Sequence, residues 1–143
     1  MKLHEYQAKA LLAKYGVTVP KGEVASNINE VRKIANNFGG KCVVKVQIHA
    51  GGRGKSGGVK LVDSVESASD EAKNMLSGNI VTLQTTSEGV PVNELLIEEA
   101  LNVVEELYLS ILVDGGLGRV IVMALYNTHL RAHATDAELK CRL

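Results

Sequence analysis

The chain has 143 residues, of which 45% are hydrophobic and 22% charged, the proportions of one ordinary globular domain. Sixteen basic residues balance sixteen acidic ones, and only 3% are aromatic, so neither an electrostatic surface nor a base-stacking platform for nucleic acid is indicated. The sequence shows no membrane-length apolar run, no signal-peptide pattern and no zinc-type cysteine spacing, so we expect a cytoplasmic protein without membrane contact.

The first part of the chain is predicted to form a helix, an extended segment and a second helix. Apolar residues recur at helical spacing over residues 3–15. The VTVP segment at residues 17–20 is extended and leads to a turn at residues 21–22. Good N-cap residues at 26–29 then begin a helix that ends at Gly39-Gly40.

Two strands around a glycine-rich loop are predicted next. The stretch KCVVKVQI, residues 41–48, alternates as a strand does, which places Lys45 on the face opposite Val44. VKLV at residues 59–62 is the returning strand, and Asp63-Ser64 caps a third helix with an apolar stripe.

Three further strands complete the predicted order. NELLIEEA and ELYLSILVD, residues 93–100 and 106–114, are rich in strand-forming residues. The second of them meets VIVMAL, residues 120–125, across a short turn that contains glycine, which is typical of a β-hairpin. Helices and strands alternate irregularly and without an internal repeat, so the predicted fold class is α+β.

The loop HAGGRGKSGG, residues 49–58, contains five glycines in ten positions. It satisfies G-x-G-x-x-G, but a strand and not a helix follows it, which argues against a dinucleotide-binding turn. It also lacks one glycine of a phosphate-binding loop, since His49 stands there. The favoured interpretation is a flap whose backbone N–H groups, Arg53 and Lys55 cover a polyphosphate that Lys45 also reaches. A solvated hairpin tip remains the alternative.

Two pairs of carboxylates, Glu98-Glu99 and Glu105-Glu106, flank the segment ALNVV. If strands end and begin there, backbone groups of ALNVV can read a purine edge, and a carboxylate at either end can accept hydrogen bonds from hydroxyl or amino groups. Surface glutamates near strand ends need no ligand, so that simpler interpretation also stays open.

Three segments together resemble the start of the β subunit of succinate–CoA ligases: LHEYQAKALLAKYGV, VVKVQIHAGGRGKSGGVKLV and ELLIEEALNVVEELYLSILVD. The resemblance implies an ATP-grasp fold, with an N-terminal subdomain and an incomplete second one over residues 1–123. Residues 124–143 depart from the family pattern, and we expect there a divergent tail, frame-shifted or disordered.

The same resemblance implies a nucleotide site. The family's phosphate-contacting lysine falls on Lys45, its adenine contacts on Glu98 and on the main chain of Leu101, and its ribose contact on Glu106. Its glycine-loop triplet falls on Gly52, Arg53 and Gly54. No catalytic nucleophile and no metal ligand is implied within this chain.

The implied activity is phosphoryl exchange between ATP or ADP and a histidine of a partner α subunit. This exchange is coupled to the interconversion of succinate and succinyl-CoA in the tricarboxylic acid cycle. Mg²⁺ bridges the phosphates, with its ligands expected outside this chain. GTP or GDP replaces the adenine nucleotide in some members. A malate–CoA ligase, a citrate-cleaving enzyme subunit and a non-catalytic nucleotide- or partner-binding module are the alternatives.

Two histidine features are given other roles. The phosphoacceptor histidine is implied on another chain, so His49 is interpreted as structural or phosphate-neighbouring. His129 and His133 would share one helix face, but no third metal ligand is evident beside them.

Overall fold

The computed structural model describes residues 2–126. Its contacts separate two units, one up to Leu101 and one from Asn102 onward. Within the described residues, the helices are α1 (Glu5–Lys14), α2 (Ile28–Asn37) and α3 (Val65–Leu76). The strands are β1 (Gly22–Ala25), β2 (Cys42–Val46), β3 (Val59–Val62), β4 (Asn79–Ile80), β5 (Val90–Pro91), β6 (Leu95–Glu99), β7 (Leu107–Asp114) and β8 (Arg119–Tyr126).

The first unit is built on a four-stranded antiparallel sheet with the order β1-β6-β2-β3. Strand β6, far along the chain, lies between β1 and β2. The register places Val43 opposite Glu98 and Lys45 opposite Leu96, so Lys45 and Glu98 share one face of the sheet. The α+β fold class is confirmed.

The prediction for the segment after α1 was wrong. The strand is β1 at Gly22–Ala25, and not the VTVP segment, and Gly22 is a strand residue and not part of a turn. A Cβ on Gly22 would lie 3.1 Å from the carbonyl oxygen of Ile97, so a side chain there would crowd β6. The two-residue strands β4 and β5, which pair with each other, were also not predicted.

One face of the sheet carries the hydrophobic core. Strands β2 and β6 contribute the fully buried Val44, Val46, Leu95 and Ile97, and α2 and α3 pack their apolar stripes on them. Both helices begin where the sequence predicts, because Asn27 accepts a hydrogen bond from the Glu30 N–H (3.0 Å) and Ser64 accepts one from the Ser67 N–H (3.1 Å).

Helix α1 forms as predicted but buries none of its residues. Its apolar stripe stays open, with Leu11 and Leu12 each 47% exposed. It contacts β1 and reaches the other face of the sheet through polar side chains. Within the described residues, no helix is long and apolar enough to cross a membrane.

The second unit is described as the predicted hairpin of β7 and β8, paired antiparallel from Leu107 opposite Tyr126 to Asp114 opposite Arg119. The carboxylate of Asp114 closes its turn by accepting hydrogen bonds from the N–H groups of Gly116 (2.8 Å) and Leu117 (3.0 Å). Strand β8 continues through residue 126, and the division at residue 123 stays a prediction. The predicted tail and its two histidines lie outside the described residues.

Candidate functional site

The glycine-rich loop joins β2 to β3 as a closed turn. Its end is tied by hydrogen bonds from the Gly58 N–H to the Arg53 carbonyl and from the Val46 N–H to the Gly58 carbonyl, both 2.8 Å. Gly52 has φ +80°, a left-handed conformation in which a side chain would be strained. Among the described residues, none accepts a hydrogen bond from the N–H groups of Gly52, Arg53 and Gly54. These three consecutive donors are available to an anion.

Five charged side chains meet on the face of the sheet opposite the core, and we call them the charged cluster: Glu5, Lys9, Lys45, Arg53 and Glu98. Glu5 is its centre. One carboxylate oxygen of Glu5 lies 3.2 Å from Lys45 Nζ and 2.9 Å from Lys9 Nζ, and the other lies 2.7 Å from Arg53 Nη2. Lys9 and Lys45 both also contact the Glu98 carboxylate.

The charged cluster is mostly withdrawn from water. The Glu98 side chain is only 4% exposed, and those of Lys45 and Arg53 are 17% and 20% exposed. Three cations face two carboxylates, which leaves an excess of positive charge in a partly desolvated place. Such a place attracts anions more strongly than an open surface does.

The pKa values within the charged cluster follow from its ion pairs. Partial burial acts to raise the pKa of Glu5, but hydrogen bonds from Lys9 and Arg53 and the charge of Lys45 outweigh burial and lower it from 4.5 to about 2. Burial acts to lower the pKa of Lys9, but Glu98 and Glu5 raise it overall. These shifts keep both groups charged at neutral pH.

A cleft of about 730 Å³ opens beside the glycine-rich loop. Its walls include Glu5 from α1, Gln84, and the loop residues Gly52, Arg53 and Lys55. The Gln84 side chain fixes the start of the loop by accepting a hydrogen bond from the Gly51 N–H at 2.7 Å. The cleft therefore exposes loop donors and two members of the charged cluster, Glu5 and Arg53, to the same ligand.

His49 packs against the N-terminal end of α1. Its ring stacks on that of His4 with centroids 3.9 Å apart. Burial and the nearby charge of His49 lower the pKa of His4. This contact fits the structural interpretation of His49. Within residues 2–126, no group of three or more histidine, cysteine or acidic side chains is placed to hold a metal ion.

The predicted site residues are placed as follows. The structure brings Lys45, Arg53 and Glu98 together in the charged cluster and puts Gly52 and Gly54 in the adjoining loop. Leu101 ends the first unit and is 56% exposed. Glu106 directly precedes β7 in the second unit and is described with that unit alone.

Sequence reasoning missed Glu5 and Lys9. Their spacing of four residues on a helix predicts a local ion pair, which the structure contains. Nothing in that spacing indicates that the same side chains also bind Lys45, Arg53 and Glu98.

The fold and the loop together define a class of protein. The sequence profile described as "ATP-grasp domain" matches residues 2–128, and the chain therefore belongs to the ATP-grasp family. Within that family it is similar to proteins described as the β subunit of ADP-forming succinate–CoA ligase. It is 48% identical to the one from Syntrophotalea carbinolica over 124 residues and 51% identical to the one from Koribacter versatilis over 128 residues.

Those matches cover 87% of this chain but only 32% and 33% of the two relatives. The chain thus spans about one third of the length of the curated relatives it matches. The resemblance seen in the sequence is confirmed over that part.

Solved structures show the same fold at low sequence identity. An acetyl-coenzyme A synthetase from Ca. Korarchaeum cryptofilum, solved with coenzyme A and Ca-AMPCP, has a TM-score of 0.65 and 22% identity, covering 87% of this chain and 53% of that one. Phosphoribosylamine–glycine ligase from Thermotoga maritima has a TM-score of 0.59 and 23% identity, covering 85% of this chain and 27% of that one. These likenesses carry the fold and nothing further.

Proposed function

We propose that the glycine-rich loop and the charged cluster bind the phosphates of ATP or ADP, as the nucleotide-binding part of a succinate–CoA ligase β subunit. The observation that carries the proposal is the meeting of Lys45 and Arg53 on one carboxylate, beside a loop with three unused N–H donors. Lysine, arginine and consecutive backbone N–H groups are the donors that hold phosphate oxygens in proteins.

The residues at hand fit a nucleotide in their chemistry. Arg53 donates from Nη1 to the Val46 carbonyl and presents Nη2 to the Glu5 carboxylate, while Lys45 offers a compact charge, and both side chains lie where little water competes. A bound nucleotide would supply the phosphoryl group, and these residues would orient it and stabilise charge that builds on it. Glu98, Leu101 and Glu106 are proposed for the base and the ribose, on the resemblance to the family.

The wider activity belongs to the same proposal. The relatives' description as ADP-forming succinate–CoA ligases supports phosphoryl transfer coupled to succinyl-CoA formation. A place in the cytoplasm and in the tricarboxylic acid cycle is proposed on the family resemblance alone. A partner α subunit and Mg²⁺ are then required, and the Mg²⁺ ligands are expected outside this chain. The chain is expected to be inactive without that partner.

The test is a titration of the 143-residue chain with MgATP, followed by NMR chemical shifts, which report weak binding. We expect an affinity in the high micromolar range or weaker, because the cleft beside the loop is open and desolvates little of the ligand. Lys45→Ala should weaken binding about tenfold or more, as loss of a charge-assisted contact does. Lys41→Ala, an exposed lysine just before β2, is the matched control.

Equal affinities of the Lys45→Ala variant and the wild-type chain would contradict the phosphate assignment. Low-micromolar binding by the wild-type chain would contradict the expectation that this open cleft binds weakly.

A non-catalytic nucleotide- or partner-binding module is the second candidate, because the charged cluster and the glycine-rich loop offer groups that can bind phosphate without catalysing a reaction. The intact mass of the native protein in its own cells separates the two. A mass near 15.3 kDa favours the module, and a much larger mass favours a ligase subunit.

A further inference from the structure

Helix α1 is attached to its unit by charge and not by apolar burial. It has no buried residue, yet Glu5 reaches Lys45 and Arg53, and Lys9 reaches Glu98. Near its start, the His4 ring stacks on that of His49 and the Tyr6 side chain hydrogen-bonds Glu94. The position of α1 therefore depends on which partners Lys45 and Arg53 have.

Glu5 divides its two oxygens between the two cations that the proposed function assigns to phosphate. One oxygen lies 3.2 Å from Lys45 Nζ and the other 2.7 Å from Arg53 Nη2. A phosphate group presents its oxygens to a lysine and an arginine at the same kind of distance. A carboxylate and a phosphate cannot both fill these positions, because like charges at contact distance repel.

We propose that Glu5 is an internal occupant of the phosphate subsite, which holds Lys45 and Arg53 in place until a polyphosphate displaces it and loosens α1 from the sheet. The inference rests on the proposed function, because it requires that the ligand's phosphates bind these two cations. It gives Glu5 of α1 the role of positioning Lys45 and Arg53, which none of the predicted site residues has.

Charge explains why a ligand, and not a proton, releases Glu5. The pKa of Glu5 is lowered to about 2, so the carboxylate stays ionised at neutral pH. A triphosphate carries several negative charges against the single charge of Glu5, and the unused N–H groups of the loop add donors that Glu5 does not use. Glu98 keeps its contact with Lys45, which lies on the neighbouring strand, so no unpaired carboxylate is left on the sheet when α1 loosens.

The experiment compares Glu5→Gln with Glu23→Gln in the 143-residue chain, titrated with MgATP and followed by NMR. Glu23 is an exposed carboxylate on β1, so its variant carries the same charge change away from the cations. We expect Glu5→Gln to bind MgATP about three- to tenfold more tightly than wild type, and Glu23→Gln to bind as wild type does.

Hydrogen exchange of the α1 amides is the second readout, because a general effect of charge would not change it. In the wild-type chain MgATP should speed exchange in residues 5–14, and in Glu5→Gln that exchange should already be fast without ligand. Amides of β2 and β6 should keep their protection in both, which shows that the sheet is intact.

If Glu5→Gln binds no more tightly than Glu23→Gln, or if MgATP leaves α1 exchange unchanged, the inference is wrong. Should Glu5→Gln lose sheet protection, Glu5→Asp replaces it: its shorter side chain cannot span both cations, and it must bind more tightly than wild type for the inference to stand. Failure of the proposed function looks different, since Lys45→Ala would then bind MgATP as well as wild type.

Discussion

The two faces of the four-stranded sheet are held to their helices in different ways. On one face, α2 and α3 cover fully buried aliphatic side chains such as Val44 and Ile97. On the other, α1 buries nothing and is joined through the charged cluster. A charged ligand in water cannot replace contacts between buried apolar side chains. It can replace one partner of an ion pair. We therefore expect α2 and α3 to stay packed on their face of the sheet, which we call permanent, and a charged ligand to be able to displace α1 from the other, which we call exchangeable.

The largest effect is expected on the apolar face. Ile97→Ala should lower the free energy of unfolding by about 2–5 kcal/mol, because it leaves a cavity beside Val44 in the core. Urea unfolding followed by circular dichroism measures it. Leu61→Ala, on a strand of the same sheet but 67% exposed, should cost far less. Similar losses in the two variants would remove the distinction between the faces.

A smaller effect is expected from the buried carboxylate of the charged face. Glu98→Gln should cost about 1–3 kcal/mol, because Lys9 and Lys45 lose one of the two carboxylates that they share. The same urea titration measures it, with Glu23→Gln as the exposed control. A loss as large as that of Ile97→Ala would mean that the charged face is as permanent as the apolar one.

The helix caps sharpen the comparison further. Asn27→Ala removes the side-chain bond to the Glu30 N–H and should cost about 1 kcal/mol of global stability, since α2 is part of the core. His4→Ala, at the N-cap of α1, should leave global unfolding almost unchanged and speed amide exchange only in residues 5–14. Equal global losses would show that α1 unfolds together with the core.

Acid should act on the charged face with the smallest global effect. The pKa of Glu5 is lowered in the fold, so its contribution is complete above the unfolded value of 4.5 and is lost as pH falls toward about 2. NMR shifts of α1 residues should therefore titrate in that window while those of the core residues Val44 and Val46 do not. In Glu5→Gln, the α1 titration should be absent.

Local signals in the sequence were enough for the apolar face. Helical spacing and the caps Asn27 and Ser64 predicted α2 and α3, and strand alternation predicted that Lys45 faces away from the core. Gly22 was placed in a turn because its strand partner, Glu98, lies far along the chain, where no local pattern records the pairing.

Only part of the candidate site was predicted, again because local patterns do not record contacts between distant parts of the chain. Lys45, Arg53 and Glu98 were proposed separately, from the loop, the strand and the family resemblance, and the structure joins them. Glu5 was missed because it meets Arg53 at a separation of 48 residues, and a helix pattern alone does not show what its polar side touches. How Leu101 and Glu106 contribute stays a prediction.

The buried thiol of Cys42 can report how often the sheet opens. Cys42 is fully buried in β2, between β3 and β6, and burial raises its pKa, so the reactive thiolate is scarce. A thiol reagent can reach it only during moments when β2 separates from its neighbours. In a chain with Cys141→Ser, the rate at which Cys42 is labelled would measure how often β2 separates. A slower rate with MgATP would show that the ligand keeps the sheet closed.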